Sequence, residues 1–233
     1  AAAWRGWGGR LVSDASLVLI GIGLVILFGI LTPDTFLTTD TLRTVLADQA
    51  ITSIMALALI LPVAAGQFDL SIGGGMGFSI MLVAIFMSQV GLNPVIAVAL
   101  TLVIGVLVGV VNAVIIVRFG VNSFIATLGT SSILIALQNW VSGGEVVSTG
   151  IPSSFKSVAR ETLFTIPLPV YYMLALAAVL WYVLDFRQFG RYLYATGSNA
   201  DAARLSGVRV KRIATIALLV SSLIAALAGI IFM

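Results

Sequence analysis

Residues 95–117 read VIAVALTLVIGVLVGVVNAVIIV, a continuous apolar run without a single charged side chain. About 20 apolar residues in a helix are enough to cross the hydrocarbon core of a bilayer. A membrane β-strand would instead alternate over about ten residues, and this run does not alternate. The stretch therefore predicts a membrane-spanning α-helix.

Composition extends this prediction to all 233 residues. Hydrophobic residues make up 60% of the chain, charged residues make up 9%, and the mean hydropathy is +1.16. Twelve basic and nine acidic side chains cannot cover the surface of a water-soluble domain of this length. The chain is therefore predicted to be an integral membrane protein of the all-α class, a polytopic bundle of transmembrane helices.

Seven apolar runs are long enough to be membrane spans. The residues before the first run, among them Trp4, Arg5, Trp7 and Arg10, form an aromatic and basic anchor of the kind found at membrane interfaces. Thr32, Pro33 and Asp34 follow that run without a small-residue cleavage pattern, which favours an uncleaved helix over a signal peptide. The predicted spans cover residues 16–31, 44–65, 73–90, 95–117, 122–141, 166–184 and 213–233.

Missing residue types exclude several function classes. The sequence has no Cys and no His, so thiolate chemistry, histidine bases and the common zinc and haem sites are excluded. It also has no Gly-x-x-x-x-Gly-Lys-Ser/Thr phosphate-binding loop. The net charge of +3 arises from basic residues between apolar runs, so no nucleic-acid partner is predicted. We expect no enzyme activity and no cofactor in this chain.

The basic residues predict how the helices are oriented. With a cytoplasmic N-terminus and seven crossings, nine basic residues fall on the cytoplasmic side and three on the outer side, as the positive-inside rule requires. Two long connections then face opposite sides, residues 142–165 outward and residues 185–212 toward the cytoplasm. The cytoplasmic set is Arg5, Arg10, Arg118, Arg187, Arg191, Arg204, Arg209, Lys211 and Arg212, and the outer set is Arg43, Lys156 and Arg160.

Residues 196–208, TGSNADAARLSGV, predict a helix of about two turns in the cytoplasmic connection. Ser198 or Asn199 can cap it, Asp201 complements its dipole, and Gly207 offers a left-handed stop. Such a short helix is marginal in water unless it docks against something. It is either a capped connector between two spans or an element that couples the membrane helices to a cytoplasmic partner.

Three motifs in this order resemble one known family. They are Gly66-Gln67-Phe68-Asp69-Leu70-Ser71-Ile72-Gly73, which is similar to Gly-Gly-Ile-Asp-Leu-Ser-Val-Gly; Phe124-Ile125-Ala126-Thr127-Leu128-Gly129-Thr130; and Phe189-Gly190-Arg191 followed by residues 197–208. The chain thereby resembles the membrane subunits of ATP-binding cassette importers for ribose, xylose and similar monosaccharides, within the group that includes branched-chain amino-acid permeases. Gln67 and Phe68 depart from the family pattern and bear on substrate preference.

The resemblance implies an architecture and a set of partners. The fold would be that of a type II ABC importer with about ten helices, so about three would lie beyond Met233 of a single permease domain spanning residues 1–233. The implied partners are ATPase subunits that bind ATP and magnesium, a second permease subunit and a soluble substrate-binding protein, in a bacterial plasma (inner) membrane. The residues implied in coupling to the ATPase are Asn199, Ala200, Ala202, Ala203, Arg204, Leu205, Ser206 and Gly207.

Polar residues inside the spans are the candidate substrate pathway. An ionisable group such as Asp69 near lipid is costly enough to indicate a role, and the glycines around it permit a broken helix lining a cavity. Uncharged hydroxyls and amides on one face of the fifth span suit a neutral polyol. The alternatives are that Asp69 caps the third span and that the hydroxyls bond back to their own helix. The candidates are Asp69, Ser71, Ser123, Thr127, Thr130, Ser131 and Gln138.

Two further predictions concern packing and the outer face. Gly105 and Gly109, with Asn112 beyond them, form a small-residue pair that favours close helix packing. The family resemblance implies that the substrate-binding protein docks on the outer connection, whose charges are Glu145, Lys156, Arg160 and Glu161.

The remaining functional alternatives are a permease for a branched-chain amino acid or nucleoside, and a secondary transporter coupled to an ion through Asp69.

Overall fold

A computed structural model describes residues 7–147 and 149–233. Trp4 and Arg5 of the predicted anchor lie outside the described residues. The chain divides into two compact units, residues 1–45 and residues 46–233. Its elements in order are α1 (Trp7–Leu31), α2 (Pro33–Phe36), α3 (Thr39–Ala64), α4 (Ser71–Ser88), α5 (Pro94–Ala113, continued by a π-helical segment Val114–Arg118), α6 (Ser123–Ser142), α7 (Ser153–Arg160), β1 (Thr162–Leu163), β2 (Ile166–Pro167), α8 (Leu168–Phe186), α9 (Gln188–Ser198), α10 (Ala200–Leu205) and α11 (Val210–Phe232).

The described residues form six helices that are long and apolar enough to cross a membrane, namely α3, α4, α5 with its π-helical continuation, α6, α8 and α11. Each lies within a few residues of a predicted span, which confirms the polytopic helical bundle. The first predicted span falls in α1, where the apolar stretch Val18–Leu31 is shorter. In the first unit, α1 turns into α2, and the rings of Phe28 and Phe36 pack with centroids 5.6 Å apart.

Local sequence explains where the spans begin and end. Asn93 precedes Pro94 at the start of α5, and its side chain accepts a hydrogen bond from the amide of Val95. Asn122 caps α6 in the same way, through the amide of Phe124. Gly143 ends α6 in the left-handed conformation. The same capping residues begin and end helices in soluble proteins, and here they lie at the ends of apolar runs.

Helix α11 is the most buried span and packs against α4 and α5. A Cβ atom built on Gly105 would lie 2.5 Å from Cβ of Ala226, and one on Gly109 would lie 3.0 Å from Cα of Leu219. Since lipid supplies no hydrophobic force between helices, such close backbone approach is what holds them together. The predicted packing role of Gly105 and Gly109 is confirmed.

The glycine-rich stretch after Asp69 differs from the prediction of a broken helix. Residues 71–88 form one regular helix, α4, and the break lies just before it, between Ala64 and Ser71. Helix α6 packs too closely on α4 for a side chain at position 74, because a Cβ on Gly74 would lie 2.8 Å from the carbonyl oxygen of Ser131. Gly74 and Gly77 therefore permit close approach of α6, whereas a Cβ on Gly73 or Gly75 would meet nothing within 4 Å.

Both long connections contain more structure than predicted. The outer one holds α7 and a two-residue hairpin, in which Leu163 pairs with Ile166 and the turn residues Phe164 and Thr165 have positive φ. The opposite one holds the eleven-residue helix α9 before the predicted short helix. Leu193 on α9 is fully buried in the main core cluster, so tertiary packing stabilises this helix.

Contacts at the two ends of the bundle agree with the predicted alternation of spans. At one end, Gly66 after α3 lies against Gly197 of α9, and Phe68 bonds to Ser123 at the start of α6. At the other end, Met87 of α4 and Ala97 of α5 pack with Phe155 of α7. Segments that the charge pattern placed on one side are therefore neighbours in the fold.

Substitution of Gly105 by Ala tests the α5–α11 packing. The added methyl group would overlap Ala226, so we expect a loss of about 1–3 kcal/mol in stability and a lower melting temperature in detergent. Gly129→Ala is the matched control, because a Cβ there meets nothing within 4 Å and alanine favours a helix. Equal melting temperatures for the two variants would contradict this account of the packing.

Candidate functional site

The break between α3 and α4 carries the buried carboxylate of the chain. Pro62 lies in the last turn of α3, and Gly66 follows with a φ of +76° that favours glycine. The chain then runs without regular structure to Asp69, whose side chain is 0% exposed. A carboxylate in such a place needs hydrogen-bond donors to offset the loss of water.

Three donors surround Asp69. Its Oδ1 accepts hydrogen bonds from the backbone amide of Ser71 at 3.1 Å and from the Ser71 hydroxyl at 2.6 Å. Its Oδ2 accepts one from the hydroxyl of Ser221 on α11 at 2.9 Å. Asp69 lies one position before Leu70, the N-cap residue of α4, and bonds to Ser71, the first residue of that helix. The bond to α11 goes beyond a cap and ties two spans together.

The hydrogen bonds continue from Asp69 across two more helices. Asn112 on α5 donates through Nδ2 to the hydroxyl oxygen of Ser71 at 2.8 Å. Thr130 on α6 donates to Oδ1 of Asn112 at 2.7 Å. In this series of hydrogen bonds each residue donates to the next one toward the carboxylate. Together with the Ser221 bond, the series brings α4, α5, α6 and α11 into one polar cluster. Such connected networks position side chains more rigidly than isolated bonds do.

Helix α6 also fixes the backbone on both sides of Asp69. The amide of Phe68 donates to the hydroxyl oxygen of Ser123 at 3.0 Å, and the amide of Leu70 donates to that of Thr127 at 3.0 Å. Thr127 in turn donates to the carbonyl of Ser123 at 2.7 Å. Two of the predicted pathway residues therefore hold the segment that carries Asp69.

The rest of the α6 stripe faces α4. Thr130 bonds back to the Ala126 carbonyl as well as to Asn112, as the alternative expected. Ser131 lies against Gly74, and Oε1 of Gln138 lies 2.5 Å from where a Cβ of Gly77 would be. All seven candidate residues thus border the junction of α4 and α6. Their contact with a substrate stays a prediction.

Two members of the cluster were not among the sequence candidates. Asn112 was assigned only to the neighbourhood of the glycine pair, and Ser221 was assigned no role, yet both are 0% exposed and bond to the others. The available signal is a strongly polar side chain in an apolar span. For Ser221 that signal is weak, because serine is common in membrane helices.

The predicted short helix is confirmed as α10, Ala200–Leu205. The side chain of Asn199 accepts from the amides of Asp201 and Ala202, and Gly207 ends the helix with a φ of +85°. Ala203 is buried against the core, whereas Leu205 is 90% exposed. Helix α10 therefore has an inner face that docks and an outer face that presents a large apolar side chain to solvent.

Helix α9 joins α10 to the Asp69 segment. Only Asn199 separates the two helices, and Gly197 of α9 packs directly on the carbonyl of Ala64 at the end of α3. A side chain at position 197 would overlap that carbonyl. The α9–α10 segment therefore contacts the backbone that leads to Asp69.

The outer candidates lie around α7. Glu145 and Glu161 are exposed, and Lys156 is half-buried. Arg160 is the last residue of α7, and its side chain lies outside the described part of the structure. Across residues 7–147 and 149–233, no group of three Asp or Glu side chains is placed to hold a metal ion.

Replacement of Asp69 by Asn tests whether the carboxylate holds the four spans together. The amide offers one acceptor oxygen to donors that now have two, so we expect a loss of about 1–3 kcal/mol, measured as a lower melting temperature in detergent. Asp201→Asn is the control, because that exposed side chain makes only a surface ion pair with Arg204. Equal stability of the two variants would contradict a central role for Asp69.

Comparisons with known proteins agree with this architecture. The ribose import permease protein of Haemophilus influenzae is 30% identical over 226 residues, which cover 96% of this chain and 69% of that protein. The ribose import permease protein of Escherichia coli K12 is 32% identical over 226 residues, and the fructose import permease protein of Rhizobium meliloti is 32% identical over 227 residues. These matches cover 95% and 93% of this chain, and 69% and 62% of those proteins. No solved structure matches the chain.

A family model confirms the relationship that the three motifs indicated. It matches residues 41–233, which include the Asp69 segment, α6 and the α9–α10 connection, and it describes the permease component of branched-chain amino acid transport systems. The chain belongs to this family of multi-pass membrane permeases.

Proposed function

We propose that this chain is the membrane subunit of an ATP-binding cassette importer and that it forms, with a second permease subunit, the pathway for a monosaccharide. A separate ATPase would bind ATP and magnesium, a soluble protein would deliver the sugar, and the complex would lie in a bacterial plasma membrane. The names of the ribose and fructose import permeases support the substrate class.

The link from α10 to Asp69 is the observation that carries this proposal. Helix α10 presents exposed Leu205 outward and rests through Ala203 on the core. Closure of two ATPase subunits would push α10, and Gly197 would transmit the push to Ala64 and the Asp69 segment. A contact between surface helices and the backbone beside a polar cluster suits an alternating-access transporter, in which movement at the surface must reach the pathway.

The junction of α4 and α6 is the proposed pathway. Its contacts include Gly74 against Ser131 and Gly77 against Gln138, so polar side chains of α6 lie along the interface. Separation of the two helices would release the hydroxyl oxygen of Thr127 from the amide of Leu70, and Thr130 lies one turn further along the same helix, bonded to Asn112 of α5. Neutral donors and acceptors of this kind match the hydroxyls of a sugar without leaving a buried charge.

The outer connection is the proposed docking surface for the sugar-delivering protein. Glu145, Lys156 and Glu161 supply both signs of charge around α7. Charges at the rim of an interface steer association and select the partner. Arg160 belongs to the same proposed set.

Two alternative functions differ from this proposal: transport of an amino acid, and transport coupled to an ion. Transport of a branched-chain amino acid is favoured by the description of the family model. Such a substrate carries two charges and would need charged partners in the pathway. Coupling to an ion through Asp69 is less supported, because both carboxylate oxygens are already occupied by hydroxyl or amide donors.

Leu205→Asp tests the ATPase contact. We expect the variant to remain folded, because the side chain is 90% exposed, and to lose ATPase subunits during co-purification by at least tenfold. Val146→Asp is the matched control, since that side chain is 88% exposed on the outer connection. Full retention of the ATPase by Leu205→Asp would contradict docking on α10.

Uptake into proteoliposomes tests the function itself. The assembled complex should take up ribose or a related pentose only when ATP is present on the side of the membrane that carries the ATPase subunits. Leucine uptake should be less than about a tenth of that rate. Accumulation driven by a proton or sodium gradient without ATP would overturn the importer proposal. Faster uptake of leucine would instead favour the amino-acid alternative.

A further inference from the structure

A cavity lies between α9 and the first turns of α11. Its volume is about 480 Å³, and it is separate from the α4–α6 junction. Arg209 and Arg212 line one part of it, and Tyr192 and Gln188 of α9 line another. The remaining wall is apolar and includes Ile213 and Ile216. The cavity thus combines two cations and two neutral polar groups with a hydrocarbon surface.

The charge in this cavity is uncompensated within the described residues. Neither Arg209 nor Arg212 forms a hydrogen bond or ion pair through its side chain there, whereas Arg204 is paired with Asp201 at 3.4 Å. Gln188 donates through Nε2 to the hydroxyl oxygen of Tyr192, which leaves the Tyr192 proton available to an external acceptor. The start of α11 adds amides without a side-chain cap. An anionic oxygen is the complement of this set.

The position of the cavity indicates where the anion comes from. The last turn of α8 carries Trp181, Tyr182 and Phe186, and the guanidinium of Arg187 lies 4.7 Å from the Tyr182 ring centre. Clusters of aromatic and basic residues at the end of a span are typical of the headgroup layer. Helix α9 follows directly, so its cavity lies at that level. Phe189 of α9, together with Ile213 and Ile216 of α11, gives the cavity its apolar wall.

We propose that this cavity binds the headgroup of an anionic phospholipid from the adjacent leaflet. Arg209 and Arg212 hold the phosphate, Tyr192 donates to one of its oxygens, and the glycerol and the first acyl carbons lie against the apolar wall formed by Phe189 and Ile216. Basic pockets between helix ends are the usual form of such sites. The apolar wall favours a lipid over a free anion. The site lies on α9, which connects α10 to Asp69, so an occupied cavity would restrain that connection.

Lipid retention in nanodiscs tests the proposal. The chain is reconstituted in equal parts of phosphatidylglycerol and phosphatidylcholine, and native mass spectrometry compares the two lipids that remain bound. We expect phosphatidylglycerol to be preferred, and Arg209→Gln and Arg212→Gln each to lower that preference about fivefold. Arg191→Gln is the matched control, because Arg191 is next to Tyr192 on α9 but does not line the cavity. Tyr192→Phe, which removes only a hydroxyl, should lower the preference less.

Three outcomes would overturn the proposal. A loss with Arg191→Gln as large as with Arg209→Gln would mean general attraction to a basic surface. Stabilisation in detergent by inorganic phosphate, equal to that by phosphatidylglycerol and dependent on the two arginines, would mean a free-anion site. Displacement of phosphatidylglycerol when the ATPase subunits bind would mean that the cavity belongs to a protein interface. None of these results depends on which solute the permease carries.

Discussion

The buried carboxylate of Asp69 is the constraint on which the rest of the bundle depends. Within a bilayer, a charged group that is closed off from water must be offset by the protein itself. Three spans beside its own segment meet that need: α11 through Ser221, α5 through Asn112 acting on Ser71, and α6 through Thr130 acting on Asn112. Satisfying one residue therefore sets the mutual positions of four helices.

Close packing is the second requirement, and it follows from the first. The polar cluster can form only if the spans approach closely, so glycines occupy the crossings, with Gly105 against Ala226 and Gly74 against Ser131. A glycine also permits the close contact between α9 and the end of α3, at Gly197. As a result, the α9–α10 connection and the end of α3 share a close backbone contact just before the Asp69 segment.

Much of the fold was readable from local pattern. Long apolar runs predicted the spans, and Asn199, Asp201 and Gly207 predicted α10 because helix caps act over three or four residues. Helix α9 was missed because its sequence contains two glycines and its stability comes from burying Leu193 in the core. The irregular segment expected around Asp69 falls at residues 65–70, before the glycine-rich run, since Gly74 and Gly77 accommodate α6 rather than a bend.

The sequence by itself determined that the chain spans a membrane, which residues form the spans, where α10 begins and ends, and which family motifs it carries. Those properties depend on composition and on neighbours within a few positions. Only the tertiary structure decided that Asp69 bonds to Ser221, that Asn112 joins Ser71 to Thr130, and that Tyr192 lines one cavity with Arg212. Asp69 and Ser221 are 152 positions apart. Such pairs meet only when the helices pack, because no local sequence pattern specifies which distant side chains bond to each other.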